Sequence, residues 1–371
     1  MAPMRVKLAL STLCENPARR TGLSTLFPEF VAHARRIFPD VSWVVFAGRD
    51  APWPDGDPSV EVCRDFPSNE RPLRRLLADH LSVAPEALRR GASALLTVGF
   101  HPLRPAGLPI AMHVFAVEPQ RHGDGVRSAY RRWAVGRGLR RAALVIANSS
   151  WTKSRLAPSR APVIVSPEGL RHDLFKPEGG RGAPGFAGRY LLWVSNLYPY
   201  KRFELALAAY AGMPAAIRSD FALLVAGGGW GEGRRRAEEA AARLGIRERV
   251  HFLGWVDDEA LPALYRGAQA HVLSTSQETF GRSVLEAMAS GCLCVVQDLP
   301  VLREVAGECA VYVDFADTAG ASRTLEIACS GGGGRAQLCA AGIERSRAFS
   351  FERVARERVG AILAILGAAG P

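Results

Sequence analysis

At 371 residues the chain is long enough for two domains with separate cores, and 48% hydrophobic with 22% charged residues exclude a disordered or fibrous protein. Charges or prolines interrupt every apolar run before it reaches the length of a membrane span, and Val6 to Leu13, which contains Lys7, is too short for a secretory core, so a cytoplasmic protein is expected. A formal net charge of +11, mostly from arginine, asks for an acidic partner: nucleic acid, anionic lipid or a phosphorylated substrate.

In the first half, strand-like runs are predicted at Val6–Leu10, Val41–Phe46, Ala94–Val98, Ile110–Val114, Leu144–Ala147 and Val163–Val165. They alternate with helical stretches, the pattern of an α/β domain with a parallel sheet. A helix over Leu26–Phe38 follows a Thr21-Gly22-Leu23-Ser24 loop, and Gly22 there lets backbone approach a phosphate. His113 lies at the end of the fourth of these runs; it reads either as a structural histidine or as a site residue. His101 and Glu118 are less well placed. From Gly123 to Arg141 the basic charge concentrates, with Arg127, Arg131, Arg132, Arg137, Arg140 and Arg141 interleaved with Tyr130, Trp133 and Leu139. Such a segment lies on an anionic membrane surface or forms a solvated helix over the first domain. The seven cysteines are scattered except for Cys292 and Cys294, which sit in an apolar run; reduced, mostly buried thiols are expected, and no zinc site.

A stretch rich in glycine, proline and charge, residues 171–189, marks a linker between domains at 1–170 and 190–349. Strands follow at Tyr190–Val194, Phe221–Ala226, Val250–Leu253, Ala270–Leu273, Cys294–Gln297 and Ala310–Val313. Gly331–Gly334 reads as a flexible loop, and Phe351–Leu366 as a last amphipathic helix. Pro199 suits the first position of a helix continuing through Phe203, Leu205 and Ala206. That would set Lys201 and Arg202 against the helix dipole, as if an anion sat between them; a solvated lysine is the other reading.

The most informative stretch is Ser276–Gly291, S-Q-E-T-F-G-R-S-V-L-E-A-M-A-S-G. Glu278 and Glu286 flank a Phe280-Gly281 turn that opens a helix, whose apolar face is Leu285, Met288 and Ala289 and whose stop is Gly291. The amides at its start suit a phosphate, and the two acids suit sugar hydroxyls. Ser283-x-x-Glu286 is equally a capping box that needs no ligand.

This stretch resembles the retaining nucleotide-sugar glycosyltransferases of family 4, often called group 1. The resemblance also runs through Trp193–Leu207, Leu224–Gly229, Val250–Val256 and Asp298–Gly307, and Val145–Lys153 and Val163–Phe175 match the end of the family's first domain; the first hundred residues match only loosely. It implies the GT-B architecture, two Rossmann-like domains with parallel sheets facing across a cleft, with the helix of 350–371 returning to the first domain. It further implies that Lys201 grips the nucleotide diphosphate and that Glu278 contacts the donor sugar. Phe280, Gly281 and the amides of Arg282 and Ser283 would contact sugar and phosphate, and Glu286 the ribose hydroxyls. Gly227 to Gly229, with Gly228 central, would lie close to the nucleotide, and Trp255 and Val256 near the base, where Trp255 either stacks or packs. His113 resembles the family's cleft histidine near the transferred sugar.

One position departs from the pattern. Asn196 stands where members commonly carry an arginine, and an amide cannot offer forked, charged donors to phosphate. Either Arg202 compensates or the diphosphate is held less firmly. The resemblance implies transfer of a hexose from GDP-mannose or a UDP-sugar, as a substrate rather than a cofactor, without a metal or a protein nucleophile. The acceptor would be a glycan, a lipid-linked molecule or a small molecule, in cell-envelope or glycolipid synthesis at the inner face of a membrane. The rival readings are a non-catalytic GT-B relative serving as a partner subunit, motivated by Asn196, and a basic nucleic-acid-binding protein, motivated by charge alone; no nucleic-acid module is recognisable. A nicotinamide dehydrogenase is discounted, since no G-x-G-x-x-G follows the first strand.

Overall fold

The computed structural model describes residues 6–14, 23–49, 51, 53, 58–115, 125–228, 232–332 and 334–367. The chain divides into two compact units: Met1–Gly169 with Phe349–Pro371, and Leu170–Ala348.

The first unit is built on β1 (Val6–Ser11), β2 (Val41–Phe46), β3 (Val60–Cys63), β4 (Ala94–Val98), β5 (Ile110–Val114), β6 (Leu144–Ala147) and β7 (Val163–Val165), in the order β3-β2-β1-β4-β5-β6-β7. Every pairing is parallel, with Val6 opposite Val41, Leu95 opposite Ile110 and Ala111 opposite Leu144. Helices cover both faces of such a sheet, which is why β5 and β6 are buried along their whole length and read as unbroken apolar runs. Strand β3 was not anticipated: V-E-V-C is four residues long at the sheet edge, with a glutamate inside it. The helices are α1 (Leu23–Ile37), α2 (Pro72–Leu77), α3 (Val83–Arg89), α4 (Gly125–Arg141) and α5 (Ser150–Arg155), with a π-helical turn over Ala78–Ser82 joining α2 to α3.

The second unit has β8 (Arg189–Val194), β9 (Phe221–Ala226), β10 (Val250–Gly254), β11 (His271–Leu273), β12 (Cys294–Gln297) and β13 (Val311–Val313), all parallel, in the order β10-β9-β8-β11-β12-β13. Its helices are α6 (Phe203–Ala211), α7 (Ala215–Asp220), α8 (Glu232–Arg243), α9 (Leu261–Gly267), α10 (Arg282–Ala289), α11 (Pro300–Ala306), α12 (Thr318–Cys329) and α13 (Arg335–Ser346).

The chain then returns to the first unit with α14 (Phe351–Ile365), capped where the Ser350 hydroxyl accepts from the Arg353 amide at 3.2 Å. Phe351, Val354, Ala355, Val359, Ile362 and Leu363 enter one core with Phe27, Phe30 and Trp43. Burying such side chains is worth about 1.5–3 kcal/mol each, so the last helix is part of the first unit's core rather than an appendage. Arg358 crosses this apolar face fully buried and is satisfied there by carbonyls.

Candidate active site

In the second unit the polar side chains gather just beyond the carboxyl ends of the strands, where open parallel sheets bind ligands. After β8 the chain does not enter a helix at Pro199, as the proline suggests. Pro199–Lys201 is a single 3-10 turn, Arg202 takes a left-handed conformation (φ 48°), and α6 begins only at Phe203. Lys201 and Arg202 therefore precede the α-helix, and their position is not a charge set inside its first turn. Arg202 leaves its side chain exposed and offers its carbonyl oxygen to the Ser274 hydroxyl at 2.7 Å. Ser276 donates through its hydroxyl (2.9 Å) and its amide (2.8 Å) to the Tyr200 carbonyl oxygen. These bonds stitch the loop after β11 onto the turn after β8.

The consequence is an ion pair: Lys201 Nζ meets Glu278 Oε1 across 77 positions of sequence, and both side chains keep a little solvent exposure. The ammonium also lies 5.4 Å from the Tyr200 ring, which stacks on Tyr198 with centroids 5.7 Å apart. Beyond Glu278, Phe280 is buried and Gly281 caps α10 with φ 100°. A Cβ at Gly281 would come within 2.5 Å of Leu302 Cδ2, so close packing as well as the left-handed backbone requires glycine here.

The acids of this stretch then diverge. With Gly281 as the cap, Glu286 falls in the second turn of α10, and no capping box forms. Its Oε1 accepts from Arg282 Nε at 2.9 Å and its Oε2 from the Tyr265 hydroxyl at 3.1 Å. Burial pushes the Glu286 carboxyl pKa up while the Arg282 guanidinium opposes the rise. Ser283 pairs with His271 Nε2 at 3.3 Å, and His271 Nδ1 lies 3.2 Å from the Leu192 carbonyl oxygen. Burial lowers the His271 pKa to about 4. The ring is then neutral near pH 7: Nδ1–H donates to the carbonyl, and Nε2 accepts from the serine hydroxyl.

Asn196, after β8, turns its Oδ1 to the Gly228 amide at 3.1 Å, and Gly227 packs so tightly on the Ser195 carbonyl that a Cβ would lie 2.1 Å from its oxygen. The residue in the arginine's place thus holds the glycine loop after β9. After β10, Trp255 is exposed and Val256 half-buried. Tyr265 and His271, which orient Glu286 and Ser283, were missed at the sequence level; an isolated tyrosine in a short helix and a histidine opening an apolar strand carry no motif. A cavity of about 430 Å³ between Leu197–Pro199 and α8 contains none of the acids or cations named above.

In the first unit, His113 lies fully buried in β5, its ring centroid 3.8 Å from that of Phe115. Arg358 Nη1 donates to His113 Nδ1 at 3.5 Å, which leaves Nε2 as the protonated nitrogen, without a partner among the described residues. Burial first, and the Arg358 charge second, hold its pKa well below the usual value, so this ring is no proton donor to a reaction near pH 7. His101 is also buried, its Nδ1 2.8 Å from the Pro102 carbonyl oxygen. Gly22, Glu118 and Gly229 lie outside the described residues. So do Asp55 and Asp57, two acids at D-x-D spacing. Among the described residues no three or more His, Cys, Asp or Glu side chains gather as a metal site. Cys63, Cys292, Cys294 and Cys329 are buried free thiols; Cys14, Cys309 and Cys339 are half-buried.

Residues 187–338 match the family model described as glycosyl transferases group 1. Over this part of its length the chain is similar to the group 1 glycosyltransferases. It is 32% identical over 181 residues to a D-inositol 3-phosphate glycosyltransferase of Salinispora tropica, covering 46% of this chain and 37% of that one. Over 174 residues it is 29% identical to an O-antigen chain mannosyltransferase B of Escherichia coli, covering 46% and 45%. The chain thus spans less than half the length of these curated relatives. Among solved structures, sucrose-phosphate synthase from Thermosynechococcus elongatus matches with a TM-score of 0.80 at 20% identity, over 98% of this chain and 100% of that one. An Anabaena protein, HepE, in complex with UDP and glucose matches with a TM-score of 0.73 at 18% identity, over 96% and 99%. The two parallel-sheet units are those of the GT-B fold.

Proposed function

We propose that the protein is a retaining glycosyltransferase that moves a hexose from a nucleotide-diphosphate donor, GDP-mannose or a UDP-sugar, to a hydroxyl of a glycan, lipid-linked or small-molecule acceptor in cell-envelope glycan or glycolipid synthesis. The observation that carries this reading is the Lys201–Glu278 pair held beside the amide-presenting start of α10. As the anomeric bond breaks, positive charge grows on the sugar and negative charge on the departing diphosphate. Lys201, with the amides after Gly281, is the natural counter-charge to the diphosphate, and Glu278, released from Lys201 by that competing anion, is free to accept from sugar hydroxyls. Glu286, anchored by Arg282 and Tyr265, would hold the ribose. The UDP in the Anabaena complex supports a nucleotide-sugar donor, and the Escherichia coli mannosyltransferase supports mannose as one candidate sugar. Nothing in the scheme requires a metal.

The test is donor hydrolysis and thermal shift with UDP-, GDP-, dTDP- and ADP-sugars in the presence of EDTA. One nucleotide should stabilise the protein and be hydrolysed. Lys201→Ala and Glu278→Gln should each lower turnover by about 10²–10³ if these groups act mainly in the transition state. Unaltered turnover in both variants removes the assignment. A second reading, a non-catalytic relative acting as a partner subunit, is favoured by Asn196, whose side chain is engaged with Gly228 instead of offering charge to a phosphate. Silence of every donor would select it.

A further inference from the structure

Three segments far apart in sequence form one face of the first unit. Helix α2 runs directly into the turn over Ala78–Ser82, and Leu73, Leu77 and Leu81 recur along them at a spacing that keeps them on one side. They are not covered: Leu73 is 77% and Leu77 61% exposed, and Leu81 is exposed as well. The loop after β4 joins this ridge because the Arg104 amide donates to the His80 carbonyl oxygen at 3.0 Å, which sets the exposed Leu103 beside the turn. Helix α4 joins it through Tyr130, whose hydroxyl lies 2.8 Å from His80 Nε2, and through Trp133, whose exposed ring has its centroid 5.7 Å from that of His80.

The charge on this face is predominantly basic, with the exposed acids Asp65 and Glu70 near Arg71 and Arg74 at its edge. Arg71, Arg74, Arg104, Arg131, Arg132 and Arg140 are exposed on the three segments. Across residues 71–82, 101–107 and 125–141 the one acid is Asp79, and it is buried, accepting from Ser11 Oγ at 2.9 Å and paired with Arg75 Nη1 at 3.2 Å. Single exposed leucines need no explanation, but four leucines and a tryptophan clustered among arginines do. A nucleic acid would use the arginines and leave the leucines in water. An apolar protein partner would leave the arginines without counter-charges. Acyl chains beneath anionic headgroups satisfy both.

We propose that this face docks on an anionic membrane surface, with Leu73, Leu77, Leu81, Leu103 and Trp133 entering the acyl boundary and the surrounding arginines meeting lipid phosphates. The surface is wider than the basic segment of residues 123–141 that the sequence singles out, and its apolar half comes mainly from α2 and the π-helical turn. Docking goes beyond the transferase reading and does not depend on it.

The full chain is floated with vesicles of phosphatidylcholine alone and of phosphatidylcholine mixed with phosphatidylglycerol. It should rise with the anionic vesicles only, and less as salt is added. Leu77→Asp with Trp133→Asp should lower vesicle affinity by at least about tenfold, from two lost apolar insertions. Arg131→Ser and Arg132→Ser should each lower it about fivefold. These positions are exposed, so circular dichroism and donor hydrolysis without vesicles should be unchanged, and hydrolysis reports on the transferase reading separately. Equal binding to both vesicle types, binding to neither, or unaltered binding by the Leu77→Asp/Trp133→Asp variant overturns the proposal. Self-association without vesicle binding, abolished by Leu77→Asp, would give the face to a second copy of the chain.

Discussion

Both units pair a cation with a partner far along the chain, and they do so to opposite ends. In the second unit Lys201 meets Glu278 across 77 positions, and the pair stays at the edge of solvent on loops stitched together by serine hydroxyls. In the first unit Arg358 meets His113 across 245 positions, and both are sealed inside. Arg358 donates to the carbonyl oxygens of Ser166 and Pro167 at 3.2 and 2.8 Å, and to the Ser166 hydroxyl at 3.2 Å. Burial lowers its pKa to about 10. An ion pair at the edge of water can exchange one partner for a ligand; a guanidinium fixed by buried carbonyls cannot, and its work is to lock α14 onto the sheet. Exposure, more than residue type, separates the group available for chemistry from the group that holds the fold.

The sharpest way to break this comparison is at Arg358. Arg358→Ala leaves buried carbonyls unpaired and opens a cavity under α14, and should cost about 3–5 kcal/mol of unfolding free energy in denaturant melts. Arg358→Lys should recover little, because an ammonium cannot reproduce the fork. A loss below about 1 kcal/mol would mean that the guanidinium is no structural lock.

A second test lies in the buried Asp79–His80 neighbourhood. Burial raises the Asp79 pKa from 3.8 to about 6, opposed by Arg75, and burial lowers that of His80 from 6.5 to about 4, aided by Arg137 and Arg75. An acid with a raised folded pKa holds its proton longer in the native state, so its contribution to stability falls as pH rises from about 4 to 6. A base with a lowered folded pKa does the reverse over almost the same window. The two slopes oppose each other in the wild type, and each single substitution exposes one. Relative to wild type, Asp79→Asn should gain stability between pH 4 and pH 6, by up to about 3 kcal/mol. His80→Gln should lose stability over the same interval. Parallel pH profiles for wild type and Asp79→Asn would refute the buried charge.

The smallest effect is expected in the second unit. Asn196→Ala removes one acceptor from the Gly228 amide and should cost about 1 kcal/mol of stability. If the glycine loop lies against the nucleotide, the apparent affinity for the stabilising nucleotide should also weaken in calorimetry. Unchanged affinity would leave Asn196 as a loop brace alone.

The strands were largely legible because a parallel sheet covered on both faces makes unbroken apolar runs: Val41–Phe46, Ile110–Val114 and Cys294–Gln297 occupy the predicted bounds. Strand β3 was not, since an edge strand with one buried face leaves only a short alternation. The turn at Gly281 was visible as a glycine before an apolar helix. The true start of α6 was hidden, because the left-handed Arg202 that ends the 3-10 turn is a conformation no local rule assigns to arginine.

The order of apolar runs, glycines and motif acids along the chain was enough to determine the α/β class, the helix behind Gly281 and the group 1 resemblance, because these depend on neighbours a few residues apart. What only the tertiary structure decided were the partnerships across long separations: Lys201 with Glu278, Glu286 with Tyr265, His113 with Arg358, and His80 with Tyr130 and Trp133 of α4. Each depends on which loops meet at the sheet edges and on how much water reaches them, and burial, which sets both the pKa of His113 and the availability of Lys201, is a property of the folded chain that no local stretch carries.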